Sequence, residues 1–151
     1  PMESTNTGES SISSIKIINQ KLSPKLLATT TTIDEVVIKH QIPEIKLIKI
    51  DVQGCELQVL KGTLNTLKNK IVQNIYLEIH LKELQDLGIN YLDILKLLNE
   101  YGTTYFFNTA LVNKNQKEIK KVTPSSLNEY FSESGVTSNA PEVQLLWGNS
   151  N

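Results

Sequence analysis

The side chains best suited to chemistry lie at the ends of two apolar segments. Asp51 closes an apolar strand predicted over residues 46–52, and His80 closes a second one predicted over residues 74–80. The carboxyl ends of neighbouring parallel strands meet at one edge of an open sheet, where ligands bind. An imidazole there can take a proton from a hydroxyl group, because histidine titrates near neutral pH. Glu78 and His80 alternate with apolar residues and therefore point to the same face.

Each of these residues also has a purely structural interpretation. Asp51 could accept backbone N–H groups of the following turn, and His80 could be an ordinary loop histidine. Glu56 could stabilise the first turn of a helix through the helix dipole, and His40 the last turn of another. Cys55 is better explained as a small packed residue than as a nucleophile.

Strands alternate with helices along the sequence, which predicts an α/β domain with a mostly parallel sheet. The helices are predicted at 33–40, where Thr32 and Glu35 have capping-box spacing, at 57–67, around 92–98 and at 124–131. Gly102 fits the C-terminal cap of the third helix. Further strands are predicted at 14–19, from 105 into a hairpin through 113–116, and at 143–147, with the aromatic residues at 105–107 and Trp147 in the core.

Composition excludes several classes of function. The chain has 151 residues, a formal charge of -1 and 39% hydrophobic residues, which suits one globular domain. Its lysines are dispersed, so we predict no nucleic-acid partner. No apolar run reaches the ~18 residues of a membrane span, and the predicted location is the cytoplasm. With Cys55 as the single cysteine, we predict neither a disulfide nor a metal site.

The strand end at Asp51 resembles a family signature. The segment Lys49–Gly62 reads KIDVQGCELQVLKG and is similar to the K-I-D-V-E-G-x-E-x-x-V-L-x-G signature of FkbM-type methyltransferases. Thr32–Glu35 resembles the family's T-L-D-E, Tyr76–His80 its V-E-I-H strand, and Ser10–Ile12 its S-S-L. The order and spacing of these motifs hold from about Gly8 to about Phe107.

The resemblance implies an S-adenosylmethionine-dependent methyltransferase acting on a hydroxyl group of a sugar or other small metabolite. It implies a Rossmann-like class I sheet with strand order 3-2-1-4-5-7-6, of which this chain would hold strands 4-5-7-6 with flanking helices. The implied catalytic residues are Asp51 and His80. Asp51, Gln53 and Gly54 would contact the cofactor, and Glu56 and Glu78 the substrate. Gln53 departs from the family, which has Glu there.

A glycine-rich cofactor turn, which such enzymes carry before the signature, is not found in this sequence. The 50 residues before Asp51 contain one glycine, Gly8, and backbone approach to a cofactor needs several. We therefore expect residues 15–151 to be the C-terminal part of the domain, which binds the cofactor only with the missing first half. Residues 1–14 are mostly polar, cannot bury much surface and are expected to be a flexible segment. The apolar edge at 46–52 would then favour self-association or a partner chain. The alternative is a non-catalytic, degenerate half-domain that acts as a binding or structural module.

Overall fold

A five-stranded sheet organises the part of the chain that the structure describes. The computed structural model describes residues 29–107, 119–121, 123, 126 and 143–149. The strands are β1 (Ile48–Ile50), β2 (Asn74–Ile79), β3 (Gly102–Phe107), β4 (Ile119–Lys121) and β5 (Val143–Asn149). The helices are α1 (Ile33–His40), α2 (Glu56–Lys61), α3 (Leu64–Lys68), α4 (Leu81–Asp86) and α5 (Tyr91–Tyr101). The fold is therefore of the predicted α/β class.

The sheet is mixed, so the prediction of a mostly parallel sheet is wrong. Its strand order is β1-β2-β5-β3-β4, and only β1 and β2 pair in parallel. The pairs β2–β5, β5–β3 and β3–β4 are antiparallel. Strands that follow helices (β1, β2 and β3) do run in one direction, as alternation predicts. The antiparallel pairs arise because β5 inserts between β2 and β3, and because β4 pairs on the outer side of β3.

The core lies on one face of this sheet. Alternate residues of β2 point into it, and their antiparallel partners on β5 do the same. Helices α2, α4 and α5 supply the opposite side. The core residues include Ile75, Leu77, Ile79, Val143, Leu145, Trp147, Leu57, Leu60, Leu84, Ile94, Leu95 and Leu98. The prediction that Trp147 is a core residue is confirmed, since it is 1% exposed.

The predicted strand 46–52 is shorter and less covered than expected. Regular pairing covers only Ile48–Ile50, extended upstream by one isolated bridge between Ile45 and Val72. Ile50 is buried, but Leu47 is 56% exposed. β1 is also the edge strand of the described sheet, where only β2 pairs with it. The nearly continuous apolar run in this segment favours a strand covered on both faces, and that expectation is wrong.

Helix α1 begins as the sequence predicts. Thr32 Oγ1 accepts from the Glu35 N–H at 3.1 Å, and Glu35 Oε2 accepts from the Thr32 N–H at 3.0 Å, which is a complete capping box. Gln41, in the left-handed region with a φ of 51°, ends the helix before Pro43.

The helix predicted over 57–67 is instead two short helices, because α1 docks at the break. The Asp34 N–H donates to the Gly62 carbonyl at 2.9 Å. The Asp34 carboxylate accepts from the Asn65 N–H at 3.0 Å and the Thr66 N–H at 2.8 Å, and so caps α3. It also accepts from Thr66 Oγ1 at 2.6 Å. A long-range contact therefore breaks a helix that local periodicity alone would continue.

These hydrogen bonds predict a pH-dependent contribution of Asp34 to stability. Burial raises the pKa of Asp34, but the hydrogen bonds from Thr66 and Asn65 outweigh it and leave the pKa below its usual value. A lowered pKa in the folded state stabilises the fold above the unfolded pKa of ~3.9, and that stability is lost as pH falls through the folded pKa. Asp34→Asn should therefore lower the free energy of unfolding by about 1–2 kcal/mol at neutral pH.

Urea unfolding at several pH values would measure this effect, and the difference from wild type should shrink below about pH 4. Asp93→Asn is the matched control, because Asp93 forms an exposed pair with Lys96 and should change stability by only ~0.5 kcal/mol or less. Equal effects of the two substitutions would contradict the capping role of Asp34.

Gly102 joins α5 to β3 without the left-handed conformation expected of a capping glycine. Its φ is −175°, which is ordinary extended backbone. Glycine is needed there for space, since a Cβ atom would lie 2.4 Å from the Gly148 carbonyl oxygen and 2.5 Å from the ring of Trp147. The Trp147 ring is fixed in turn, because its Nε1–H donates to the Leu98 carbonyl at 2.8 Å.

Several predicted elements fall outside the described residues. They are the flexible segment 1–14, the strand 14–19, the hairpin turn 113–116 and, apart from Ser126, the helix 124–131. Helix α4 was not predicted. The longest helix in the described part of the chain, α5, has 11 residues, and none of the helices there is long and apolar enough to cross a membrane.

Candidate functional site at the carboxyl edge of β1 and β2

Parallel pairing of β1 and β2 brings the predicted chemical residues together. Ile50 pairs with Leu77, so Asp51 and Glu78 follow at neighbouring positions on two adjacent strands. His80 comes directly after β2 and is the N-cap residue of α4. Its Nε2 atom lies 3.8 Å from Asp51 Oδ1. His80 is 7% exposed, whereas Asp51 is open to solvent.

A tight turn carries the chain from β1 into α2. Gln53 and Gly54 have φ values of 47° and 99°, and the second favours glycine strongly. A Cβ atom on Gly54 would also lie 2.9 Å from Glu83 Cβ on α4. The buried Gly54 N–H donates to Glu56 Oε1 at 3.0 Å. The turn therefore holds a carboxylate that enters the interior at the start of α2.

Glu56 is the buried partner of His80. Its side chain has no exposed surface, and its Oε1 atom lies 2.9 Å from His80 Nδ1. Its other oxygen, Oε2, is buried without a hydrogen-bond partner in the described part of the chain. Glu56 is fully buried in this structure, and the substrate contact that the resemblance implies for it stays a prediction. The expected favourable position in the first turn of a helix does hold, since Glu56 is the first residue of α2.

Lys49 supplies the positive charge of the site. Its ammonium group lies 3.1 Å from Asp51 Oδ2 and 3.9 Å from Glu78 Oε1. The hydrogen bond to Asp51, and then the attraction of Asp51 and Glu78, raise the pKa of Lys49 above its usual value. Two carboxylates, those of Asp51 and Glu78, thus share one ammonium group. The edge retains an excess of negative charge.

The same residues have the spacing of a possible cation site. Asp51, Glu78 and His80 each offer one donor atom, and these atoms lie within 4.8 Å of one another. No metal site was predicted from the sequence, and Asp51, Glu78 and His80 were not recognised as a cluster of cation ligands. Lys49 already contacts both of its carboxylates, so a cation there would compete with an ammonium group that belongs to the chain.

Cys55 does not take part in this arrangement. Burial raises the pKa of the Cys55 thiol, and the negative charge of Glu56 adds to that effect. The thiol therefore stays protonated near neutral pH, which is the wrong form for a nucleophile. Cys55 instead lines an apolar pocket with Thr32, Val59 and Leu87, among other residues, and none of Asp51, Glu78 and His80 lines it.

Most residues of this site were predicted from the sequence, but the hydrogen bonds and ion pairs between them were not. The structure brings Asp51, Glu78 and His80 together at one sheet edge and places Gln53 and Gly54 in the adjoining turn. The roles predicted for these five residues stay predictions. Lys49 was missed, and so was the pairing of Glu56 with His80. Local sequence gave no signal for either contact, because both depend on the register of β1 against β2.

Comparison with known proteins gives two matches. A family model described as the methyltransferase FkbM domain matches residues 2–105. A Haloferax volcanii protein described as hexuronic acid methyltransferase AglP is 38% identical over 82 residues, which cover 53% of this chain and 31% of that protein. The aligned region thus spans less than a third of that relative. No solved structure gives a significant match.

Proposed function

Because the chain belongs to the FkbM methyltransferase family, we propose that it forms the acceptor side of an S-adenosylmethionine-dependent methyltransferase. The proposed acceptor is a hydroxyl group of a sugar or other small metabolite. One observation carries the proposal: His80, held at 2.9 Å by buried Glu56, ends β2 beside Asp51 at the carboxyl edge of two parallel strands. An imidazole so placed is suited to accept the proton that O-methylation releases.

In this proposal the described strands take defined places in the family's sheet. β1, β2, β5 and β3 would correspond to strands 4, 5, 7 and 6, consistent with their order and with the insertion of antiparallel β5. The free edge of β1 would then pair with strand 1 of the first half or with a partner chain. The exposed Leu47 beside that edge supports such pairing.

The proposed reaction balances as a direct transfer. S-adenosylmethionine, when bound, supplies a methyl group on a positively charged sulfur. A carbon–oxygen bond forms as the carbon–sulfur bond breaks, and the electron pair of the broken bond stays on sulfur. His80 Nε2 takes the proton of the acceptor hydroxyl, and Asp51 orients that hydroxyl through its exposed Oδ1. Such a reaction depends mostly on positioning and on a base.

The residues predicted to contact the cofactor fit a cationic group. The excess negative charge of Asp51, Glu56 and Glu78 over Lys49 favours a positively charged sulfur at this edge. Gln53 Oε1 is buried and has no hydrogen-bond donor among the described residues, so it can receive one from a bound cofactor. Gly54 allows the turn to approach closely. Asp51, Gln53 and Gly54 are therefore retained as the proposed cofactor contacts, and Glu78 as a proposed substrate contact.

The name of the relative AglP suggests a particular acceptor class to test. A hexuronic acid offers hydroxyl groups and a carboxylate, and only a hydroxyl needs a base to remove a proton. We therefore test both hexuronic acids and neutral hexoses as acceptors. The stability of the product in alkali distinguishes a methyl ester from a methyl ether. Mild alkali releases the methyl group from an ester but not from an ether. We also propose that the protein acts in the cytoplasm.

Methyl transfer by the full-length protein tests the proposal directly. With tritium-labelled S-adenosylmethionine we expect label to enter a sugar acceptor and to remain after mild alkali. Label that alkali removes would assign the reaction to a carboxylate instead of a hydroxyl. No transfer to any acceptor, together with no calorimetric binding of S-adenosylmethionine, would favour the non-catalytic alternative, a binding or structural module.

A further inference from the structure

We infer that Glu56 is a positioning residue that fixes the tautomer of His80, so that Nδ1 carries the proton and Nε2 is the free base. This inference deepens the proposed function and rests on it for its catalytic meaning. The geometry stands independently. The family resemblance implies that Glu56 contacts the substrate. Here Glu56 acts on His80 instead.

The chemistry of the contact selects one ring nitrogen. An ionised carboxylate only accepts hydrogen bonds, so a nitrogen 2.9 Å from Glu56 Oε1 must donate. That nitrogen is His80 Nδ1. In a neutral imidazole the other nitrogen, Nε2, then carries the lone pair. Because Glu56 is fully buried and His80 is 7% exposed, water competes little for this contact.

The carboxylate is itself fixed by the turn that follows β1. Gly54 N–H donates to the same oxygen, Oε1, at 3.0 Å. Glu56 is also the first residue of α2, where the helix dipole stabilises a negative charge. One oxygen atom therefore joins the turn after β1 to the residue after β2, across 24 residues of sequence.

The free nitrogen lies near the carboxylate that is proposed to orient the acceptor hydroxyl. His80 Nε2 lies 3.8 Å from Asp51 Oδ1, which is beyond hydrogen-bonding distance. Lys49 donates to the other oxygen of Asp51 at 3.1 Å. A hydroxyl between the two side chains could donate to Nε2 while Asp51 lies close enough to orient it.

Nitrogen NMR of the wild-type chain tests the tautomer without any acceptor or cofactor. The chain has 2 histidines, so histidine-selective ¹⁵N labelling gives two rings, and His40→Asn assigns them. At about pH 8, where free histidine is neutral, His80 should show a protonated Nδ1 and an unprotonated Nε2. The opposite tautomer, or a ring protonated on both nitrogens, would overturn the inference.

Glu56→Gln tests the cause. The neutral amide accepts more weakly and can also donate, so the fraction of His80 with a protonated Nδ1 should fall. Glu100→Gln on α5, an exposed position, is the control and should leave both spectra unchanged. In the active enzyme Glu56→Gln should lower kcat roughly 10- to 100-fold with little change in KM, since part of the benefit of the base is lost. An unchanged tautomer in folded Glu56→Gln would show that Glu56 does not set it.

The two hypotheses fail separately. The predicted tautomer without methyl transfer would reject the proposed function and leave the positioning role intact. Methyl transfer with the opposite tautomer would support the proposed function and reject the positioning role of Glu56.

Discussion

His80→Asn should lower kcat by roughly 10²-fold or more, while the free energy of unfolding changes little. Asparagine places an amide nitrogen close to the position of Nδ1, so the hydrogen bond to buried Glu56 can persist. It has no counterpart of Nε2, so the proposed proton acceptor is lost. Truncation to alanine would be less informative, since it would leave a buried carboxylate without its partner, and that alone is destabilising.

The control is the same substitution at the other histidine. His40 is exposed in the last turn of α1, and His40→Asn should leave kcat unchanged. Initial rates of methyl transfer and urea unfolding curves, measured on both variants, separate chemistry from stability. A His80→Asn enzyme with a near-normal rate would show that another group, such as Asp51, receives the proton.

Gly102→Ala should destabilise the fold by about 3 kcal/mol, at the upper end of what overpacking costs. The added methyl group would meet the Gly148 carbonyl oxygen and the ring of Trp147, both at about 2.5 Å or less. Neither can move easily, because Thr103 pairs with Gly148 in the sheet and Trp147 is hydrogen-bonded to Leu98. Relief of the clash would require β3 and β5 to separate.

Gly148→Ala is a close control on the partner strand. Among the residues that the structure describes, a Cβ atom there meets only Asn74 Oδ1, at an ordinary 3.8 Å. The free energy of unfolding should therefore stay within about 1 kcal/mol of wild type. Urea or thermal unfolding of both variants tests the pair. Similar stabilities of the two variants would contradict the close packing of Gly102 against Trp147.

Local pattern was sufficient for elements that local chemistry determines. The capping box of Thr32 and Glu35 predicted the start of α1, and the apolar segments at 74–80 and 143–147 predicted β2 and β5. Local pattern failed where a contact with a distant segment determines the structure. Asp34 breaks the helix predicted over 57–67 by capping α3, and Trp147 determines why residue 102 is glycine. Neither partner is visible within a window of local sequence.

The residues of the candidate site could be predicted from local sequence, but their contacts could not. A strand-end rule was enough to select Asp51, Glu78 and His80, because parallel strands align their carboxyl ends. The register of β1 against β2 was needed to see that Glu56 reaches His80 and that Lys49 reaches Asp51 and Glu78. Burial was needed as well, since it turns Glu56 from a surface carboxylate into an internal one.

The oxygen that Gly54 and His80 share also has a consequence for motion. The Gly54 amide and the His80 imidazole lose their common acceptor together when the Glu56 side chain moves. Movement of that carboxylate is therefore one opening event that releases both donors, and its free energy contributes to hydrogen exchange at the Gly54 amide. The exchange rate of one backbone proton thus reports how often Glu56 leaves the position in which it holds the base.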